Sequence, residues 1–113
     1  MLTSNYIPSE RTARSKALWE RASRVAPMGA QGDGKFYAPY PHYLARGAGS
    51  RLWDVDGNEY IDYWNGAGPC VLGHADGIVH AAAAETMRTR GSAFCAPHEL
   101  EVELAEEPAE IMP

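Results

Sequence analysis

Two lysines, four histidines, two cysteines and a cluster of acids around one Asp-Gly pair are the side chains of this 113-residue chain best suited to chemistry. A lysine amine attacks a carbonyl only where desolvation or a neighbouring cation frees its lone pair. Lys16 sits in a charged helical pattern and Lys35 in a glycine-rich stretch, so neither has that setting, and a lysine holding a carbonyl cofactor would lie elsewhere. Asp54-Val55-Asp56-Gly57-Asn58-Glu59 superficially resembles a calcium loop, but its glycine falls two places early and its flanks are strand-like, so it reads as a turn. His74 and His80 have no carboxylate or thiol at a recognised ligand spacing, and the four histidines do not cluster, which gives no metal site. Cys95 and His98 are three apart, yet catalytic thiol pairs are defined by geometry and not by such proximity. Cys70 and Cys95 form no zinc or CxxC spacing and read as free thiols. Tyr6, Tyr37, Tyr40 and Tyr43 are interleaved with few bases, which suits loop or interface packing better than nucleic acid.

A third kind of candidate is backbone. Between Trp64 and His74 stand Gly66, Gly68, Gly73 and Pro69, which forbid regular structure and let the main chain approach a ligand or another chain segment closely.

The elements that must position these groups come from a small domain's worth of chain. Fifteen acids against ten bases give a net charge of −5, which argues against a general binder of phosphate backbones. The first 24 residues hold five bases and two acids, so the remainder is strongly acidic, and Glu99, Glu101, Glu103, Glu106, Glu107 and Glu110 read as a solvated helix face. An apolar share of 45% places the chain outside the disordered class. The longest apolar run, Ala81 to Ala84, is far short of the roughly 18 residues of a membrane helix, and no apolar stretch follows Met1, so the expected compartment is the cytoplasm.

Ala17, Leu18, Ala22 and Val25 predict a helix over residues 10–25, capped by Ser9, supported by a Glu20–Arg24 pair and stopped by Pro27 and Gly29. Residues 28–50, rich in Gly, Pro and Tyr, read as open chain that covers something. Residues 51–55 and 59–63 predict a β-hairpin around Asp56-Gly57-Asn58, with Trp53, Val55, Ile61 and Tyr63 on an apolar docking face and Asp54 and Asp62 opposite. Asp76 begins a helix over 77–90 whose buried side is Ile78, Val79, Ala82, Ala83 and Met87, and Gly91 ends it. A third helix starts near His98 or Glu99 and stops by Glu107, before Pro108. The expected class is an α+β segment of three helices and one β-hairpin. Its parts are an N-terminal helix (1–27), an open segment (28–50), a hairpin with a glycine-rich loop (51–75), two helices (76–107) and a truncated tail (108–113).

Gly49-Ser-Arg-Leu-Trp-Asp-Val-Asp-Gly-Asn-Glu-Tyr-Ile-Asp-Tyr63, then Gly68-Pro69, Leu72-Gly73-His74, Ala96-Pro97 and Glu99-Leu-Glu-Val-Glu-Leu-Ala105, resemble the amino-terminal part of class III pyridoxal-phosphate-dependent aminotransferases, most closely the glutamate-1-semialdehyde aminomutase branch. The resemblance covers about residues 15–107, only the first quarter of such an enzyme. It implies the N-terminal part of a fold-type I transferase, a homodimer when complete, a small amino donor and a carbonyl acceptor, and pyridoxal phosphate held by a missing C-terminal domain. No catalytic or cofactor-binding residue is assigned to this chain. It also implies a substrate-side role for Gly32, Lys35, Gly66, Ala67 and Gly68. Gly32 and Lys35 stand where the aminomutases have a serine and an arginine, and Ala67 where they have a tryptophan, which implies a remodelled pocket and a different amino compound or keto acid. Gly77 replaces a common proline at the start of the second helix. The implied function is a segment of a transaminase, inactive alone. The alternatives are the 2,1-aminomutase itself and a non-catalytic interaction module.

Overall fold

The structure is a computed structural model that describes residues 9–91 and 94–112; Tyr6, one of the interface candidates, lies outside them. The chain divides into two compact units at Asp76/Gly77.

In the first unit a 3-10 turn, Ser9–Arg11, leads into helix α1, Ala13–Ala22. Its N-cap position is Thr12, and the helix stops at Ala22. Arg24 therefore lies past its end, and Glu20 faces Lys16 at 3.9 Å instead. Val25 is also beyond the helix and exposed. The packed face runs through Thr12, Ser15, Trp19 and Ala22, at helical spacing but with small polar groups in its first turn. Trp19 stacks on Tyr40 with centroids 6.0 Å apart. Its Nε1 donates to the Met28 carbonyl at 3.0 Å. Gly29 lies under that indole, where a Cβ would come within 2.6 Å of Trp19 Cδ1.

The expected hairpin is a three-stranded antiparallel meander of β1 (Leu44–Ala48), β2 (Arg51–Asp54) and β3 (Glu59–Ile61), in that order. β1 is an element that the reading of residues 28–50 as mostly open chain did not include. Its sequence Leu-Ala-Arg-Gly-Ala has neither alternation nor β-branching, and pairing with β2 makes it a strand, with a register irregularity between Leu44 and Arg46.

The docking face is the reverse of the expected one. Trp53 lies on the open side, under the Arg46 guanidinium at 3.4 Å, near the Arg51–Glu59 ion pair at 2.9 Å. Ile61 is half exposed and Tyr63 almost fully so. Leu52, Asp54 and Tyr60 form the packed side. The centre of the unit is accordingly polar: Thr12, Ser15 and Asp54 are buried with Tyr40. Each is hydrogen-bonded, as burial requires. Thr12 Oγ1 and the Tyr40 hydroxyl are 3.0 Å apart, and Ser15 Oγ accepts from the Tyr43 N–H at 3.2 Å.

The second unit contains α2 (Gly77–Arg90) and α3 (Glu99–Ile111). Ile78, Val79 and Met87 were expected to be buried, but all are exposed, as are Ala82 and Ala83. A side chain is buried only by what packs on it, and among the described residues that stripe stays largely open to solvent. Gly91 follows α2 with φ +86°, and His98 caps α3 by accepting the Leu100 N–H at 3.1 Å. α3 runs past Pro108, against expectation. Proline forfeits its own N–H, but its carbonyl still accepts the Met112 N–H at 2.9 Å, so the last turn closes. Among the described residues no helix is long and apolar enough to cross a membrane.

Candidate functional site

Asp62 follows β3 and organises the chain beyond it. Its Oδ1 accepts the N–H groups of Trp64 at 2.8 Å and Asn65 at 3.1 Å. Its Oδ2 lies 2.6 Å from His74 Nε2. The His74 bond above all, with the two N–H donors, holds the carboxyl below the usual carboxylate range. A short turn, Asn65–Ala67, follows, in which Asn65, Gly66, Ala67 and Gly68 have φ of 52°, 62°, 69° and 113°. The Asn65 carbonyl accepts from the N–H groups of Gly68 and Cys70, both at 3.0 Å.

The far end of this loop is tied to the sheet. His74 and Gly49 exchange both backbone hydrogen bonds at 2.8 Å. A Cβ on Gly47 would meet His74 Cγ at 2.6 Å, and one on Gly73 would meet Gly49 Cα at 2.9 Å. At Gly73 the close approach is therefore to another chain segment, whereas Gly68 faces open space.

Beside the loop is a cavity of about 540 Å³ whose lining includes Lys35, Tyr37, His42, Leu52, Tyr60 and Trp64. The tyrosine hydroxyls around it are engaged within the protein. Tyr60 donates to Asp54 Oδ2 at 2.7 Å, Tyr43 to the Gly29 carbonyl at 2.5 Å, and Tyr37 accepts the His42 N–H at 2.7 Å. Burial, reinforced by the Asp54 charge, pushes the Tyr60 phenol up, and burial raises Tyr37 despite its bond from His42. The wall is thus largely aromatic and apolar, with Lys35 as its cationic residue.

The five sequence-predicted residues fall on two segments. Gly32, with φ +104°, lies against the Lys35 side chain, whose Cε is 3.8 Å from where a Cβ on residue 32 would be. Gly66, Ala67 and Gly68 are exposed in the loop. Trp64 joins the two segments: its Cη2 is 4.0 Å from the Cβ position of Gly34, and it lines the cavity together with Lys35. Of the five, Lys35 lines the cavity. Sequence reasoning missed Trp64, Tyr60, His42 and Leu52, although Trp64 stood directly before the glycine run.

A pyridoxal phosphate needs an amine for its aldehyde and a free helix N-terminus or equivalent for its phosphate. Among the described residues those two are not found together. Lys16 is exposed opposite Glu20, the N-terminus of α1 is occupied by Asp56, α3 opens on His98, Glu99 and Glu101, and α2 follows Asp76. Asp54 and Asp56, in the run read as a turn, have their oxygens filled by hydrogen-bond donors.

In sequence and in fold the chain matches the N-terminal segment of the class III pyridoxal-phosphate-dependent aminotransferases. It is 45% identical over 91 residues to glutamate-1-semialdehyde 2,1-aminomutase 1 of Cenarchaeum symbiosum, covering 80% of this chain and 21% of that protein. It is equally similar over 92 residues to the 2,1-aminomutase of Archaeoglobus fulgidus, covering 81% and 22%. Among solved structures, an omega-transaminase from Sphaerobacter thermophilus superposes with a TM-score of 0.74 at 40% identity, over 81% of this chain and 21% of that one. A glutamate-1-semialdehyde aminomutase from Pseudomonas aeruginosa PAO1 gives 0.76 at 28% identity, over 90% and 23%. A transaminase with pyridoxal phosphate bound also superposes at 0.76. No family model matches the chain. The chain spans about a fifth of the length of the relatives it matches.

Proposed function

We propose that this chain is the part of a pyridoxal-phosphate-dependent aminotransferase that walls the substrate side of the active site, with Gly32, Lys35, Gly66, Ala67 and Gly68 along that wall. The observation that carries the reading is the approach of Trp64 to Gly34, which brings the 32–35 turn and the 64–68 loop to one rim. The remainder of the enzyme holds the cofactor, which supplies the electron sink for amino transfer. The chain's own residues orient the amino compound: Lys35 attracts a carboxylate as a point charge, and the aromatic wall takes an apolar body. A bulky amino acid or its keto acid fits that combination. Homodimerisation of the complete enzyme is supported by the exposed apolar side chains of α2 and α3, and a cytoplasmic location by two free thiols. The 2,1-aminomutase reaction is the second reading, favoured by the names of the 45%-identical relatives.

The test is to fuse this chain to the complementary portion of the Archaeoglobus aminomutase and assay a panel of amino donors. Amino transfer that weakens when Lys35 is replaced by alanine supports the wall. A fusion that loads cofactor and turns over identically with and without Lys35 refutes the placement.

A further inference from the structure

The Trp64–Gly68 loop is closed by backbone hydrogen bonds of its own but carries backbone strain. Four consecutive residues lie in the left-handed region, and two of them, Asn65 and Ala67, carry a Cβ, so each adds a conformational cost that something else must offset. We propose that Asp62 and His74 are a pair of positioning residues that hold this loop, and with it the rim of the cavity, in place. The functional sense of the proposal rests on the substrate-wall reading above.

The argument follows the hydrogen bonds. The Asp62 side chain is only 5% exposed and has both oxygens in use. One fixes the first two N–H groups of the loop, and the other meets His74 Nε2. His74 is itself immobilised on three sides: its N–H and carbonyl are bonded to Gly49, and its ring rests on Gly47, where no side chain fits. The entry to the loop is thereby anchored, through a twelve-residue separation, to Gly49 in the turn between β1 and β2. Without His74 the Asp62 carboxylate loses the partner that aims it; without Asp62 the left-handed run has no cap. A carboxylate suits the position because it accepts on both oxygens, as three donors arriving from two directions require.

The experiment uses this chain, with two probes on the loop and their internal controls elsewhere. Cys70 donates its N–H to Asn65, and its sulfur lies 3.0 Å from the Cβ position of Gly66, so its alkylation by iodoacetamide reports loop opening, while exposed Cys95 serves as reference. Incorporated 5-fluorotryptophan gives separate fluorine signals for Trp64 and for Trp19 and Trp53, which lie off the loop. Asp62→Ala is expected to speed Cys70 alkylation by about fivefold or more and to move the Trp64 signal, leaving Cys95, Trp19 and Trp53 as they were. His74→Ala is expected to do the same, and His74→Gln, whose amide nitrogen can reach the same carboxylate, to restore both readouts to within about twofold. Asp62→Asn, scored in the same way, is the milder variant if the alanine form does not fold, and its expected effect is intermediate. Unchanged Cys70 reactivity, three fluorine signals moving together, or a glutamine variant as perturbed as the alanine one would overturn the proposal. Neither probe involves substrate, so failure of the clamp is separable from failure of the substrate-wall reading, which the fusion tests.

Discussion

Asp56 closes the N-terminus of α1 from forty-one residues away: its Oδ2 accepts both the backbone N–H and the hydroxyl of Ser15, each at 2.9 Å. Its Oδ1 takes the Arg14 N–H at 2.7 Å, while Thr12, at the N-cap position, makes no side-chain cap. Asn58 adds a second tie, donating to the Arg11 carbonyl at 2.7 Å and accepting from the Arg11 guanidinium at 3.0 Å. Asp54 shapes the turn that presents both, accepting from the N–H groups of Asp56 and Asn58 and from the Asn58 amide. The Asp-Val-Asp-Gly-Asn run is therefore a helix cap borne on a sheet.

Asp56→Ala is expected to destabilise the first unit by about 2 kcal/mol, combining a lost cap with donors that had been bonded to a charge. Asp56→Asn, which retains one acceptor, should cost about half as much. Amide hydrogen exchange at Arg14 and Ser15 is the measurement. Protection there that survives Asp56→Ala would mean that another group caps the helix.

The same carboxylates set a pH dependence. Burial opposes charge on Asp54, but the bonds from Asn58, Tyr60 and the Asp56 N–H outweigh it, and the pKa lies below normal. Burial likewise opposes charge on Asp56, and the Arg14 and Ser15 donors outweigh it. A carboxyl depressed in the folded state contributes stability above its unfolded pKa, near 3.9, and that contribution is lost as pH falls through the lower folded value. The unit should hold steady above about pH 5 and lose exchange protection in α1 below about pH 4. Asp56→Asn should flatten this acid limb; an equally steep limb in the variant would assign it to other groups.

The elements with strong local signals were legible in the sequence. The Asp-Gly turn, the helix over 77–90 and the Leu-Gly-His run read directly, because turn chemistry and helical spacing are local. β1 was not legible, since its residues carry no strand signal and pairing alone makes it one. The packed face of the sheet differs from the expected one because both faces mix apolar and charged residues, and side-chain partners decide between them: Asp54 and Tyr60, bonded to each other, go in, while Trp53 is covered by Arg46 from outside. At the site, the 32–35 turn and the 64–68 loop were read separately. Their meeting at Trp64 is a tertiary event, and so is the link between Asp62 and His74.

The close glycine contacts can be ranked. Gly73→Ala sets a Cβ 2.9 Å from backbone that cannot yield, at φ +89°, and should cost about 2 kcal/mol or more. Gly57→Ala has a similar φ of +88° with nothing within 4 Å, and should cost about 1 kcal/mol. Thermal melts of the two variants test the order. Equal losses would show that conformation alone, and not the contact with Gly49, makes Gly73 necessary.

Solution behaviour follows from the second unit. Ile78, Leu104, Ile111 and Met112 are each more than two-thirds exposed, and Val79, Met87 and Val102 about half. Side chains in that number should drive self-association of the chain by itself. Sedimentation at several concentrations should show a rising average mass; a monomer with a cooperative melt at every concentration would contradict this.

Ala67 has φ +69°, a conformation that glycine adopts without strain, so Ala67→Gly should leave stability unchanged or raise it by about 0.5–1 kcal/mol. That variant separates backbone from side chain in the more informative substitution, Ala67→Trp. On the substrate-wall reading, an indole at residue 67 fills space that an alanine methyl leaves open. In a complete enzyme carrying this segment, Ala67→Trp should lower kcat/KM for the largest accepted amino donor by about tenfold, roughly 1.4 kcal/mol, and spare small donors. Strain at a left-handed residue would act on every donor alike, so the ratio of large to small is the quantity that reports the wall. The Ala67→Gly enzyme should keep that ratio within about twofold of the parent. An equal loss for large and small donors, with cofactor binding intact, would place residue 67 outside the selective surface and leave Trp64 and Lys35 as its boundary.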